Sequence, residues 1–111
     1  MIKLKNETEK RIRNLTLAQL DVFQSLINNE KPTVSSKEVL KGCKRKKTTR
    51  RSMASLASIT RGDSPLVRKV GKISNHGGFL WKFNSDDWDI EEVTSVAMEM
   101  IEELKEGGFF K

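Results

Sequence analysis

The sequence predicts one domain that is mostly α-helical, with a small β-hairpin and a long C-terminal helix. Its 111 residues suffice for a single modest core, and contents of 36% hydrophobic and 32% charged residues are typical of a globular protein. Apolar residues recur at intervals of three or four along most of the chain, which is the spacing of helices with one buried face. Only residues 66–83 change to the alternation that is typical of strands.

The first long helix is predicted over residues 15–29. Residues 1–14 are mixed in charge and poor in apolar side chains, so they predict either a frayed helix or a loose arm. Thr16 and Gln19 then have the spacing of a capping box, in which two side chains satisfy free amides at a helix start. The residues that follow form one apolar stripe: Leu20, Phe23, Leu26 and Ile27.

A short second helix is predicted over residues 34–41. Ser35 and Glu38 have capping-box spacing, and Val39 supplies part of the buried side. Gly42 is expected at the position just past the helix end, because glycine adopts a positive φ without strain.

A third helix is predicted over residues 48–60. It is expected to start at Thr48 or Thr49, whose hydroxyls can cap it, and to be closed by Gly62 and then Pro65. The inner stripe is expected to contain Met53, Leu56, Ala57 and Thr60. The outward side is expected to contain Arg50, Arg51, Ser55 and Ser58.

Two strands are predicted over residues 66–73 and 79–83, joined by a turn over residues 74–78 that is rich in residues tolerating positive φ. Three aromatic residues of the second strand alternate onto one face: Phe79, Trp81 and Phe83. Such rings can stack on nucleic-acid bases, but core packing explains them better, because the hairpin must cover the helices. Basic residues are spread along this hairpin: Arg68, Lys69, Lys72 and Lys82.

The segment 86–111 predicts a long amphipathic helix with a short tail. Asp89 has capping-box spacing to Glu92, and Gly107 is expected to end the helix. The apolar stripe contains Ile90, Val93, Val96, Ala97, Met100, Ile101 and Leu104. Two interpretations stay open: the stripe packs within its own domain, or it joins two copies through a seam of Val93, Ala97, Met100 and Leu104.

Charge is strongly segregated along the chain. Residues 1–40 carry a net charge of +2, residues 41–82 of +11 and residues 83–111 of −7, which sum to the total of +6. Seven cations fall within residues 41–51, with no acid among them. Because clustered like charges repel, this segment indicates a polyanionic partner, and the helix that it opens is the candidate nucleic-acid-reading element.

The order of elements over residues 15–85 resembles the winged helix-turn-helix domain of small prokaryotic and viral transcription regulators. The stretch SPLVRKVG, residues 64–71, is similar to the entry into the first strand of the wing in that family. The resemblance implies that residues 34–41 support a recognition helix at residues 48–60, which lies in the major groove, and that the hairpin is a wing. The link over residues 42–47 is longer and more basic than the family's tight turn, so this loop itself is expected to bind phosphates.

The expected DNA contacts come from the basic loop, the third helix and the wing, with His76 near the wing tip. The full set is Lys41, Lys44, Arg45, Lys46, Lys47, Thr48, Thr49, Arg50, Arg51, Ser55, Arg68, Lys69, Lys72 and His76.

Other kinds of site find little support in the sequence. Cations flank Cys43 and would favour its thiolate, but a passive thiol is the expected role. Cys43 and His76 lack further soft ligands, so neither a metal nor a cofactor is expected. With a single histidine and no nucleophile–base pattern, no enzymatic activity is expected. The single cysteine suits a reducing cytoplasm, and no apolar run has the length of a membrane span.

The sequence therefore predicts a sequence-specific double-stranded DNA-binding protein, a cytoplasmic transcription regulator that acts by occupancy. The alternative is a protein- or RNA-interaction module whose acidic C-terminal helix docks a partner. A homodimer is expected through that helix, because two paired domains read a longer DNA site than one.

Overall fold

A computed structural model describes residues 2–29, 31–43, 49–73 and 78–107, and of residues 49–51 only the backbone. Within these ranges the chain forms five helices and a three-stranded antiparallel sheet. In chain order they are α1 (Lys5–Arg13), α2 (Leu17–Ile27), β1 (Val34–Ser35), α3 (Ser36–Gly42), α4 (Thr49–Ser58), β2 (Val67–Lys72), β3 (Phe79–Phe83) and α5 (Ile90–Glu106). The predicted fold class, mostly α with a small hairpin and a long C-terminal helix, is confirmed.

Local capping signals start α2 and α3 where the sequence predicts them. Thr16 and Gln19 form a complete capping box on α2, and Ser35 and Glu38 form one on α3. Asp89 caps α5 differently from the prediction, because its carboxylate accepts from the amide of Glu91 at 2.9 Å. This cap satisfies one amide at the helix start without a reciprocal bond from a glutamate.

The sheet contains a strand that the sequence pattern does not predict. β1 pairs with β3 through Val34 opposite Trp81 and Ser35 opposite Leu80, so the strand order is β1-β3-β2. A strand of two residues is too short to show alternation, and here it runs directly into the N-cap of α3. As a result, α3 starts at the sheet.

The N-terminal segment is a helix rather than a loose arm. Ile12 and Thr8 of α1 are fully buried, and α1 packs along α5. The amide of Lys3 donates to the carbonyl of Asp87 at 2.7 Å, near the start of α5, and Arg13 reaches Glu103 toward its end. The two helices therefore run in the same direction, and α1 covers part of the apolar stripe of α5.

The buried face of α4 differs from the predicted stripe. Ser52 and Leu56 are its buried residues, followed by the buried Ile59 just past the helix end, whereas Met53 and Ala57 are only half-buried. Thr60, also half-buried, lies beyond the last helical residue. Ser58, predicted to face outward, accepts a hydrogen bond from Gln19 Nε2 of α2 at 2.8 Å. Packing against α2 thus rotates α4 about its axis relative to the orientation that apolar residues alone suggested.

Glycines end α3 and α4 in two different ways. Gly62 follows α4 with a φ of 96°, as expected for a residue that closes a helix. Gly42 instead is the last residue of α3, and the C-cap is Cys43 in an extended conformation. A Cβ at Gly42 would clash with the hydroxyl of Ser25 in α2, so glycine is needed there for close approach of the two helices.

Candidate nucleic-acid interface

The structure describes part of the predicted interface. Six predicted contacts lie outside the described residues: Lys44, Arg45, Lys46, Lys47, Thr48 and His76. Thr49, Arg50 and Arg51 form the first turn of α4, where only the backbone is described. The described side chains among the predicted contacts are Lys41, Ser55, Arg68, Lys69 and Lys72.

Helix α3 presents two exposed lysines on one side. Lys41 lies in its last turn, and Lys37 lies one turn earlier, so the two positions share a face, while Val39 is buried on another. Lys37 is an addition to the predicted contacts. The spacing of four residues between these two lysines could have indicated from the sequence that they share a helix face. Nothing in the sequence, however, indicates that α3 lies beside the hairpin.

Helix α4 presents small residues to solvent after its basic first turn. Ala54 is exposed and Ser55 is half-buried. Position 50 lies one helical turn before Ala54. Small exposed residues allow a helix backbone to approach a partner surface closely.

The hairpin carries Lys69 and Lys72 on the same face. Lys69 lies opposite Trp81, and Lys72 lies opposite Phe79, although residues three apart in a regular strand point to opposite faces. A β-bulge between Lys69 and Gly71 causes this, because Val70 is an extra residue without a partner in β3. The ammonium of Lys69 lies over the Phe79 ring, 4.3 Å from its centroid.

Arg68 does not share that face. It lies opposite Lys82 in the ladder, on the other side of the hairpin, and its guanidinium pairs with Asp87 at 3.7 Å. The four hairpin cations are therefore divided between two faces, and the predicted set of wing contacts does not form one surface. Successive residues of a strand point to opposite faces, which separates Arg68 from Lys69, and the bulge at Val70 then places Lys72 on the face of Lys69.

A buried hydroxyl joins α3 to the hairpin. Ser36 Oγ accepts from the indole Nε1 of Trp81 at 2.8 Å and from the amide of Phe79 at 3.2 Å. The same hydroxyl lies 3.3 Å from the carbonyl oxygen of Phe79. These contacts hold the first turn of α3, with Lys37, beside the strand whose Phe79 lies next to Lys69 and Lys72.

Ion pairing separates the cations into two groups. Lys3, Arg13, Lys31 and Arg68 each pair with an acidic side chain. Lys37, Lys41, Lys69 and Lys72 are in no ion pair with any residue that the structure describes. The same holds for the described side chains of Lys5, Lys10, Arg11, Arg61, Lys82 and Lys105, so these four lysines are distinguished by sharing faces of α3 and of the hairpin. The lysines of α3 and of one hairpin face thus keep their charge available to a partner.

The acidic residues concentrate on α5, whose apolar stripe packs within the chain. Val93 and Ala97 are fully buried in the chain's own core, and Met100 and Leu104 pack against it. Val93 and Ala97 of the predicted dimer seam are thus occupied by packing within the chain, where α1 and α2 contact α5, while Met100 and Leu104 stay half-buried. On the rim, Arg13 binds Glu103 at 3.0 Å, which lowers the pKa of the Glu103 carboxyl.

Cys43 has a different environment from the one predicted by its basic neighbours in sequence. Burial and the carboxylate of Asp21 raise the pKa of the Cys43 thiol to about 11. Its Sγ donates to the carbonyl of Val39 at 3.2 Å. Burial therefore opposes the thiolate that the cations next to Cys43 in sequence were expected to favour, and two of those cations, Lys44 and Arg45, lie outside the described residues.

The aromatic residues of β3 belong mainly to the core. Trp81 is 4% exposed and Phe83 packs against Phe23, with ring centroids 6.2 Å apart. Within the described ranges, no group of three or more His, Cys, Asp or Glu side chains is placed to hold a metal ion. Nor does any helix in that part of the chain have the length and apolar character needed to cross a membrane.

Comparison with protein-family models, with curated proteins and with solved structures finds no match to this chain.

Proposed function

We propose that this protein is a sequence-specific double-stranded DNA-binding protein, a transcription regulator that acts by occupancy without catalysis or a cofactor. In this proposal α4 enters the major groove, the basic residues 41–51 bind phosphates, and the hairpin contacts the backbone beside the groove. The protein acts in the cytoplasm, in association with DNA.

The observation that carries the proposal is that two pairs of exposed lysines each share one face of the elements that precede and follow α4 in the chain. Lys37 and Lys41 of α3 and Lys69 and Lys72 of the hairpin have no acidic partner in the described part of the chain. Phosphates supply such partners, and each one neutralised releases condensed counterions from the duplex. The acidic residues of α5 are bound in part by Arg13 of α1.

The proposal is tested by incubating the purified protein with random duplexes and sequencing those that it retains. We expect enrichment of one sequence, and binding to that duplex that weakens steeply with salt. The affinity falls as salt rises, so the slope of log K against log salt is negative. Replacing Lys44, Arg45, Lys46 and Lys47 by Ala should make this slope shallower by about 0.9 for each phosphate that the variant no longer neutralises. The control variant replaces exposed cations of α1 and α5 by Ala: Lys5, Lys10 and Lys105.

Base reading is tested separately in the first turn of α4. Arg50→Ala or Arg51→Ala should relax the preference at one base pair, at a cost of about 1–3 kcal/mol for that pair. If both variants bind selected and random duplexes with equally reduced affinity, these arginines contact only the backbone. If no duplex is enriched and binding is independent of salt, the proposed function is wrong.

The second candidate function is a protein- or RNA-interaction module. The exposed side of α5 favours it, because Met98 is 56% exposed among Glu99 and Glu102. Including random single-stranded and structured RNA in the selection distinguishes the two, since retention of RNA over duplex DNA would favour the alternative.

A homodimer remains part of the DNA-binding proposal, formed outside the part of the seam that the chain itself buries. Sedimentation of the protein alone and on DNA measures whether this dimer forms.

A further inference from the structure

We infer that a phosphate-binding site is built where α3 meets the hairpin, from Lys37, Lys69 and Lys72 around the ring of Phe79. We call these four residues the Phe79 cluster. The inference rests on the proposed function, because its ligand is the phosphate backbone of the bound nucleic acid. It adds Lys37 to the contact set and gives Phe79 the role of a positioning residue.

The two hairpin lysines reach the cluster through the strand register. Lys72 is directly opposite Phe79, and Lys69 is opposite Trp81, two residues away on the same face. The partners Trp81 and Phe79 are alternate residues on one face of β3, about 7 Å apart along the strand, so the two lysines occupy neighbouring positions of that face. Ammonium groups on neighbouring positions repel each other, and the phosphates of a bound nucleic acid offset that repulsion.

Lys37 reaches the cluster through the Ser36 hydroxyl. Ser36 Oγ contacts both the amide and the carbonyl oxygen of Phe79, so the backbone of Lys37 is one residue away from this contact with β3. A cation in the first turn of a helix is disfavoured by the helix dipole, and Lys37 is exposed without an acidic partner in the described chain. A phosphate would supply the anionic partner that this lysine lacks within the described chain.

Phe79 orients Lys69 rather than binding the ligand itself. The ammonium of Lys69 is 4.3 Å from the ring centroid, and the ring packs edge-on against Trp81, with centroids 6.0 Å apart. A ring held by the core thus holds a solvent-exposed ammonium in one place. Pre-ordering of a flexible lysine raises affinity by reducing the entropy lost on binding.

The test uses the full chain and the duplex with the highest affinity, measured from 50 to 200 mM salt. We expect the negative slope of log K against log salt to become shallower by about 0.9 in each of three variants: Lys37→Ala, Lys69→Ala and Lys72→Ala. Over this fourfold change in salt, each variant should therefore lose about 3.5-fold less affinity than the wild type. Lys82→Ala is the matched control, because Lys82 is exposed on the other face of the hairpin, and its slope should not change.

The role of Phe79 is tested by coupling to Lys69. Phe79→Leu should weaken binding in the wild-type background and have no effect in the Lys69→Ala background, while Phe79→Tyr retains the ring and should retain affinity. Equal loss in both backgrounds would mean that Phe79 acts only through packing, which overturns its positioning role. Thermal unfolding of each variant verifies that it is folded at the assay temperature.

The two proposals fail in different ways. A wild-type protein that binds no duplex refutes the proposed function. A wild-type protein that binds with a steep salt dependence, and keeps that slope in the Lys37→Ala variant, supports the function and overturns the Phe79 cluster.

Discussion

The hydroxyl of Ser36 supports a sharp stability prediction, because one buried atom connects three polar groups. Ser36→Ala removes the acceptor for the Trp81 indole at 2.8 Å and for the Phe79 amide at 3.2 Å. Leaving a buried donor without a partner costs about 1–3 kcal/mol. The Trp81 indole should incur the larger share of this cost, because Trp81 is 4% exposed whereas Phe79 is half-buried and closer to water. We therefore expect a loss of about 2–4 kcal/mol in the free energy of unfolding.

For a chain of 111 residues this loss corresponds to a fall of about 9–17 °C in Tm. Calorimetry and urea unfolding measure it, with Ser95→Ala on the exposed face of α5 as a control for the same chemical change. Trp81→Phe in the Ser36→Ala background removes the unpaired indole donor as well, so the double variant should be destabilised less than the sum of the single variants. A loss for Ser36→Ala within about 0.5 kcal/mol of the Ser95→Ala control would refute the reasoning.

Three further predictions concern helix packing. Gly42→Ala forces the Ser25 hydroxyl out of its hydrogen bond and should cost about 1–3 kcal/mol in urea unfolding; an unchanged midpoint would contradict it. The pKa of Glu103 is lowered by its hydrogen bond from Arg13, so this pair stabilises the fold above the unfolded pKa of about 4.3 and loses its effect as pH falls through the lower folded pKa. Glu103→Gln should therefore make the free energy of unfolding fall less steeply between neutral pH and pH of about 3, as measured by thermal unfolding. A curve parallel to that of the wild type would mean that the Arg13–Glu103 pair does not contribute to stability. Met100→Glu should lower the free energy of unfolding by about 1–3 kcal/mol while the sedimenting mass stays unchanged; a drop in mass with unchanged stability would restore the dimer seam.

Features that depend on residues up to four positions apart could be predicted from the sequence. The capping boxes at Thr16 and Ser35, the alternation of β3 and the long amphipathic helix α5 are all present. Charge segregation is also a property of the sequence, and its basic part falls on α4 and the hairpin. Local hydrogen bonds and side-chain periodicity determine these features, whichever elements they later pack against.

Packing between distant segments decided which elements contact each other and which side chains share a surface. The apolar stripe of α5 is compatible with a second copy or with the chain's own helices, and only the fold shows that Val93, Val96 and Ala97 are buried within the chain. The bulge at Val70 brings Lys69 and Lys72 to one face, and Ser36 joins the start of α3 to Phe79, the partner of Lys72 in the sheet. These placements depend on strand register and on contacts between residues more than 40 positions apart, such as Ser36 with Phe79. A pattern within one segment carries no information about such partners, because the same stripe or cation can satisfy its packing and charge in several arrangements.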